Sequence, residues 1–311
     1  MKEKVFNLFI IMISLFILIE LLIKKRIVYA SVIYALNIWV HNLIPVLFPF
    51  FIISDILINY NITAYIPKII KKICKQLFNI SDNMLTILLL SMISGFPSNA
   101  RNTRTLYDKG MINLEEANHI LIFSHFANPV FILTTVGAFF LHSERVGIII
   151  LVSHYLSNII LGILFRKKDN FFVNCRNDTI MENNWGNVFV RAIKRAIDTI
   201  LLICGILVVF MLLSEIILSI INVNIYNQMI IKGLFEITIG IEALSNLNIS
   251  MIYKAVIASM FLSFGGIAVH IQVISQITET KINYIYFFMG RMYQVIISVI
   301  LTYVLCLLFN I

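Results

Sequence analysis

Charged residues, prolines and long polar stretches are scarce in this 311-residue sequence. Asp, Glu, Lys and Arg together make up 13% of the chain and prolines number 5, whereas soluble domains are typically about a quarter charged. Hydrophobic residues account for 60% of the chain. This composition argues against a soluble enzyme and predicts a polytopic membrane protein, because each crossing helix needs about 20 apolar residues.

The sequence also lacks the patterns of metal sites and common enzyme motifs. Its four cysteines are widely spaced, with no CxxC pair and no nearby histidine cluster. It contains no GxxxxGK phosphate loop, no GxSxG elbow and no HExxH motif. We therefore expect no enzyme activity, no metal and no cofactor. The net charge of +8 comes mainly from basic residues at the ends of apolar segments, a pattern that orients a membrane protein and does not indicate nucleic-acid binding.

Apolar segments of membrane-spanning length recur along the chain, with spans expected near residues 5–23, 146–165, 199–221 and 284–308. We predict an all-α polytopic membrane protein with about 8–10 transmembrane or re-entrant helices. The whole chain, 1–311, would form a single integral membrane domain.

Three other segments carry more specific expectations. Pro45 and Pro49 should divide residues 27–58 into two short elements. The lysine-rich stretch 61–80 predicts an amphipathic helix at the surface of an anionic leaflet. The polar stretch 166–185 predicts a cytoplasmic loop; if the basic residues 24–26 also face the cytoplasm, an even number of crossings separates the two.

Each half of the chain contains two breaks in its apolar pattern. The first half, 27–165, is broken at Gly95-Phe96-Pro97 and at Asn128-Pro129. The second half, 186–311, is broken in the stretch 233–246, which carries Glu236, Thr238 and Gly240, and at Gly265-Gly266. Irregular backbone in lipid persists only where protein or a water-filled cavity covers it, and paired broken segments indicate a transporter binding site. We therefore expect two broken-helix repeats.

The residues at the first-half breaks predict a binding site for an anion. Proline is favoured in the first turn of a helix, so Pro97 and Pro129 would begin half-helices whose N–H groups attract negative charge. Arg101 and Arg104 would lie one turn apart on the first of these half-helices. The alternative is an interfacial loop whose arginines meet lipid phosphates.

In the second half, Glu236 stands in an apolar stretch, where a carboxylate is costly unless it pairs, protonates or binds a cation. Two roles stay open: a proton- or sodium-linked role, and a structural pair with Lys232 one turn earlier. His270 and Gln272 follow the two glycines and either contact a ligand or serve packing.

Four segments in matching order resemble one known family. They are IPVLFPFFIISDIL at 44–57, SGFPSNARNTRTLYDKGMINLEEAN at 94–118, GLFEITIGIEAL at 233–244 and SFGGIAVHIQV at 263–273. Together they resemble the sporulation integral membrane protein YlbJ family, which belongs to the nucleoside-recognition (Gate) domain membrane proteins. The sequence departs from the family pattern at Asn99, where relatives carry a glycine, and at residues 125–129.

The resemblance implies a location in the outer forespore membrane, derived from the mother cell, of an endospore-forming bacterium. It also implies transport of dipicolinic acid, or a similar aromatic carboxylate, from the mother cell across that membrane. Two alternatives are a cation-coupled nucleoside or metabolite carrier of the plasma membrane, and a sporulation scaffold that transports nothing.

The expected partners are the lipid bilayer and a small anionic aromatic substrate, with self-association and other sporulation membrane proteins as further options. Both H⁺ and Na⁺ stay open as coupling ions. The predicted substrate site joins the breaks of the two halves. Its residues are Gly95, Phe96, Pro97, Ser98, Asn99, Arg101, Asn128, Pro129, Glu236, Thr238, Gly240, Ser263, Gly265, Gly266, His270 and Gln272.

Overall fold

The computed structural model describes residues 2–167 and 184–311, and the regular secondary structure of these residues is entirely helical. Two π-helical segments, Trp39–Leu43 and Phe131–Phe140, and one 3₁₀ turn, Ile62–Tyr65, accompany the α-helices. The α-helices are α1 (Lys2–Ile23), α2 (Lys25–Ile38), α3 (Ile44–Asn59), α4 (Lys68–Phe78), α5 (Asp82–Ser94), α6 (Ser98–Asp108), α7 (Leu114–Phe123), α8 (Glu144–Leu164), α9 (Trp185–Ile220), α10 (Ile225–Phe235), α11 (Ile237–Ser245), α12 (Met251–Phe264), α13 (Gly266–Ile277) and α14 (Tyr284–Leu308).

The prediction of an all-helical polytopic membrane protein is confirmed. In the described part of the chain, six helical segments are long and apolar enough to cross a bilayer. They are residues 6–23, 25–59, 144–164, 185–220, 251–277 and 284–308. The remaining helices are shorter and include those that flank the breaks near Gly95, Asn128 and Glu236.

The expected division of residues 27–58 into two elements is wrong. α2 runs through the π-helical segment Trp39–Leu43 into α3, so that Lys25–Asn59 forms one helical segment of 35 residues. Proline removes a backbone donor and its ring clashes with the preceding turn of an α-helix. The wider π-helical turn lies directly before Pro45 and absorbs this mismatch without ending the helix.

This long helix lies antiparallel to α9. Lys24 Nζ donates to Ser219 Oγ at 2.6 Å, near the end of α9, and the rings of Tyr60 and Trp185 lie 6.2 Å apart at its beginning. The 36 residues of α9 extend about 54 Å at 1.5 Å per residue. Lys24 and Trp185 therefore lie at opposite ends of this helix pair.

The structure describes the predicted amphipathic helix but only a small part of the predicted cytoplasmic loop. The predicted amphipathic helix is present as α4, which exposes Ile69 and Ile73 and meets α5 at an angle of 95°. An abrupt turn of this size suits a helix that rests on a membrane surface before the chain enters the bilayer. Most of the predicted cytoplasmic loop, residues 168–183, lies outside the described residues.

Each half contains a helical hairpin whose tip is one of the predicted breaks. In the first half, α6 folds back along α5, and Asn83 at the start of α5 donates to the Met111 carbonyl beyond the end of α6 at 2.7 Å. In the second half, α11 folds back along α10 at Glu236, and the Gly240 and Gly233 backbones touch. Neither hairpin is long enough to cross a bilayer, so both are re-entrant.

A broken helix follows each hairpin. In the first half, α7 ends at Phe123, residues 124–128 have no helical structure, and a new helical segment begins at Pro129 and becomes π-helical at Phe131. In the second half, α12 and α13 are separated by Gly265 at φ +95°. The two halves thus repeat the order hairpin and broken helix, as the pattern of breaks predicted.

The final helix, α14, holds the two repeats together. It packs against α7 and α8 of the first half and against α12 of the second. Gly290 permits the closest of these contacts, since a Cβ there would lie 2.0 Å from the Ile122 carbonyl oxygen. Ser259 on α12 and Thr302 on α14 join their hydroxyls at 2.9 Å.

The second hairpin depends on the absence of side chains at its two glycines. We expect Gly240→Ala to lower the thermal unfolding temperature of the purified protein, because the new Cβ would lie 2.1 Å from the Gly233 Cα. Overpacking of this kind costs about 1–3 kcal/mol. The matched control is Gly205→Ala in α9, where no atom lies within 4 Å of the new Cβ. Equal unfolding temperatures for the two variants would contradict the tight glycine contact.

Candidate functional site

The four predicted breaks meet at one place in the structure. The first hairpin tip lies against the first broken helix, where a Cβ on Gly95 would be 2.6 Å from the Asn128 nitrogen. The second tip lies against the second broken helix, where a Cβ on Gly266 would be 3.2 Å from the Phe235 carbonyl oxygen. The two broken helices meet in turn, because a Cβ on Gly265 would be 3.7 Å from His125 Nε2.

Side chains at the breaks satisfy backbone groups that the helices leave open. Asn128 Oδ1 accepts from the Val130 nitrogen at 2.8 Å, and its Nδ2 donates to the Ile93 carbonyl at 3.0 Å. Glu236 Oε2 accepts from the Ile239 nitrogen at 3.0 Å. Asn128 and Glu236 thus cap the half-helices that begin at the breaks.

The prediction that Pro97 and Pro129 begin half-helices is confirmed. α6 starts at Ser98, directly after Pro97, and Pro129 is the first residue of its helical segment. The alternative of an interfacial loop at residues 94–104 is wrong, because Gly95 and residues 97–103 are buried within the hairpin.

A small cavity, here called the inner pocket, lies where the breaks meet. Five predicted site residues line it: Phe96, Asn128, Glu236, Thr238 and Gln272. Its other walls are apolar side chains from the long helix Lys25–Asn59, from α9 and from beside the breaks. Its volume is about 40 Å³, far below the roughly 300–1,000 Å³ of ordinary ligand pockets. The inner pocket is therefore closed in this conformation.

Several predicted site residues lie near the breaks without lining the inner pocket. Ser98 and Asn99 are buried in the first turn of α6, and Ser98 accepts from Ser94 Oγ at 2.8 Å. Gly240 belongs to the contact between the arms of the second hairpin. Ser263 donates to Ser298 Oγ at 2.7 Å, and His270 Nδ1 lies 2.6 Å from the Tyr284 hydroxyl. These contacts give Ser263 and His270 packing partners away from the inner pocket.

Glu236 has no structural pair with Lys232, so that alternative is wrong. Lys232 Nζ binds Glu215 on α9 at 2.7 Å. Within residues 2–167 and 184–311, no basic side chain lies within 4 Å of the Glu236 carboxylate. Its hydrogen-bond partners are Thr238 Oγ1, at 3.1 Å, and the Ile239 nitrogen. A carboxylate of this kind, 8% exposed and lining a pocket, is suited to bind a proton, a cation or a polar ligand.

A second cavity, here called the basic cavity, lies between α6, α9 and α13 and has a volume of about 410 Å³. Arg101 lines this cavity and not the inner pocket, and it forms a buried ion pair with Asp55 on α3. Arg104 lines it as well and binds Asp108 at 3.1 Å and Glu279 at 2.9 Å. The predicted one-turn spacing of the two arginines on one helix face is confirmed, but Arg101 has an internal partner. The other charged residues of the lining are Asp108, Lys109, Arg195 and Asp198.

Sequence reasoning missed two features of this region. Arg195 follows the polar stretch 166–185 in the sequence, and only the pairing of helices places it in the basic cavity. Arg291, fully buried in α14, donates to the Ile122 carbonyl at 3.1 Å and to Asn158 Oδ1 at 3.4 Å. A charged residue in an apolar span was the signal that could have found Arg291.

The fold and its meeting breaks define a polytopic membrane protein built from paired re-entrant hairpins and broken helices. Residues 40–144, from the π-helical turn before α3 to the start of α8, match the family model Gate, described as nucleoside recognition. The chain is also 26% identical over 297 residues to the sporulation integral membrane protein YlbJ of Bacillus subtilis (strain 168), an alignment that covers 83% of this chain and 72% of that protein. No solved structure matches the chain. Both matches confirm the resemblance seen in the four segments.

The ion pair between Asp55 and Arg101 should contribute strongly to stability. We expect Asp55→Asn to destabilise the protein by about 3–5 kcal/mol, because it leaves a buried guanidinium without its partner. The control, Asp108→Asn, removes an exposed partner of Arg104 and should cost at most about 1 kcal/mol. Thermal unfolding in detergent tests both variants; a smaller loss for Asp55→Asn than for Asp108→Asn would refute the buried pair.

Proposed function

We propose that this protein is a sporulation membrane transporter that moves dipicolinic acid, or a similar aromatic carboxylate, from the mother cell across the outer forespore membrane. The observation that carries the proposal is the meeting of four helix breaks at one pocket. Irregular backbone in paired positions is the arrangement that transporters use to bind substrate. The similarity to a sporulation integral membrane protein supports the setting.

The helix ends at the breaks suit a carboxylate. α6, α11, α13 and the segment that begins at Pro129 all start beside the inner pocket. Their N-termini carry partial positive charge, and those of α6 and α13 have no side-chain cap. Phe96 and Phe131 supply aromatic walls against which a pyridine ring can stack.

The negative charge of Glu236 determines that a positive ion must accompany the substrate. Its carboxylate already occupies the N-terminus of α11 and has no basic partner among the described residues. An anionic substrate beside it would create like-charge repulsion in a medium of low dielectric. Transport of a dicarboxylate through this pocket therefore involves a proton on Glu236 or a cation bound beside it, so H⁺ and Na⁺ are the coupling ions to test.

The closed pocket requires movement between two states. An aromatic dicarboxylate does not fit in about 40 Å³, so the hairpin tips must separate from the wall formed by α3 and α9 to admit it. This wall packs on itself through Leu47, Phe51, Ala196, Ile200 and Ile203. The repeats pack against α14, and this arrangement suits a motion of the hairpin tips relative to the wall.

The second candidate is a cation-coupled nucleoside or metabolite carrier of the plasma membrane. It is favoured by the description of the matched family, nucleoside recognition, and by the side chains of Asn128, Glu236 and Gln272 in an otherwise apolar pocket. Uptake of uridine in preference to dipicolinate by the reconstituted protein, driven by a sodium or proton gradient, would decide for this candidate.

Deletion of the gene tests the biological role. We expect spores of the deletion strain to contain little dipicolinate while the mother cell still produces it, because the proposed step lies between synthesis and storage. Spore and mother-cell dipicolinate are measured separately at the same stage. Normal dipicolinate in the spores would exclude the proposed role.

Substitution of Glu236 tests the site and separates transport from a scaffold role. We expect Glu236→Gln to make dipicolinate uptake into vesicles insensitive to a sodium or proton gradient, since the neutral amide removes the like-charge repulsion that a coupling ion would otherwise offset. The control is Glu144→Gln, at an exposed position in the first turn of α8. If alanine at Arg101 and at Glu236 leaves spore dipicolinate normal while loss of the whole protein abolishes it, the protein acts as a scaffold.

A further inference from the structure

The basic cavity holds two cations that the proposed substrate site does not use. Arg101 is neutralised by Asp55, and Arg104 by Asp108 and Glu279. Arg195 and Lys109 differ from these arginines. In the described part of the chain, neither has a carboxylate within 4 Å, and the Lys109 ammonium donates to Asn59 Oδ1 at 3.0 Å.

Arg195 and Lys109 face the same cavity from different elements. Arg195 belongs to α9 and Lys109 directly follows α6. Asp55 and Arg191 also act on Lys109 electrostatically. Burial lowers the pKa of Lys109, and the positive charge of Arg195 lowers it further. Two cations that repel each other beside a cavity form a favourable place for an anion.

The basic cavity adjoins the inner pocket along two helices. On α9, Leu202 lines the basic cavity and Ile203 lines the inner pocket. On α13, Gln276 lines the basic cavity and Gln272 lines the inner pocket. These two residues are four positions apart, which corresponds to about one helical turn, or 5.4 Å. Arg101, which lines the basic cavity, is buried and paired with Asp55 on α3. A ligand in the basic cavity is therefore one helical turn from the proposed site.

We propose that the basic cavity is a docking site for a small dicarboxylate, in which Arg195 and Lys109 each bind one carboxylate before the substrate reaches the inner pocket. This inference rests on the proposed function and extends it with a second site. The volume of about 410 Å³ falls within the range of ordinary small-molecule sites. Charge-assisted hydrogen bonds to a guanidinium and an ammonium would hold a dicarboxylate more tightly than a monocarboxylate.

The test compares initial uptake of dipicolinate and of its monocarboxylate analogue, picolinate, by the full-length protein in vesicles. The variants are Arg195→Gln, Lys109→Gln and their combination. Lys194→Gln is the matched control, because it removes a charge from the adjacent position on α9, where the side chain lines a different surface depression. Arg195→Lys keeps the charge and tests whether the effect is electrostatic. Size-exclusion profiles and unfolding temperatures establish that each variant is folded.

We expect the double variant to raise the KM for dipicolinate at least about tenfold with little change in maximal rate. Its preference for dipicolinate over picolinate should fall, while Lys194→Gln and Arg195→Lys behave like the unaltered protein. A folded double variant with an unchanged KM and preference would overturn the docking site and leave the proposed function intact. Absence of dipicolinate uptake by the unaltered protein would overturn the proposed function and the docking site with it.

An anionic lipid headgroup presents the same chemistry and is distinguished by vesicle composition. Uptake is therefore measured in phosphatidylcholine vesicles with and without phosphatidylglycerol. Dicarboxylate docking predicts that the KM of the double variant is raised in both. If the unaltered protein requires phosphatidylglycerol, and the double variant loses only this requirement, the cavity holds a lipid headgroup and the proposal is overturned.

Discussion

A backbone N–H or C=O group without a partner in hydrocarbon costs several kcal/mol, and this constraint explains the arrangement of the four breaks. Each hairpin tip covers a broken helix of its own half, and the broken helices cover each other at Gly265 and His125. The open groups are thereby shielded from lipid and bonded to side chains such as Asn128. Breaks that are stable only when they cover one another must lie close together, so a site forms where they meet.

The same constraint accounts for the buried polar residues behind the breaks. α7 ends at Phe123, in the interior, and leaves carbonyl groups without helical partners. Arg291 on α14 donates to one of them, that of Ile122, and also to the His125 carbonyl just beyond the helix and to Asn158. A guanidinium has five donors and suits the negative end of a helix. Arg291 thus satisfies the broken helix from outside the repeat and joins it to α14.

The sequence predicts spans, breaks and helix starts in this fold well, and it predicts contacts between different helices poorly. Spans, breaks and half-helix starts were predictable because proline, glycine and apolar length act on the residues beside them. The continuous helix through Pro45 was not, since a π-helical turn compensates for the proline. Lys232 binds Glu215 and not its neighbour Glu236, and Arg101 binds Asp55. Each partner lies on another helix, and spacing along one segment cannot indicate it.

The two cavities differ in charge in a way that gives them different tasks. The inner pocket contains one acid, Glu236, among apolar walls, whereas the basic cavity contains four cations and two acids. An anion entering from the basic side is attracted at first and then meets a carboxylate, so attraction alone cannot carry it inward. Neutralisation of Glu236 by a proton or a cation would remove that barrier. A single acid beyond a basic cavity therefore makes an anion's passage conditional on a positive charge, which is the physical requirement for coupled transport.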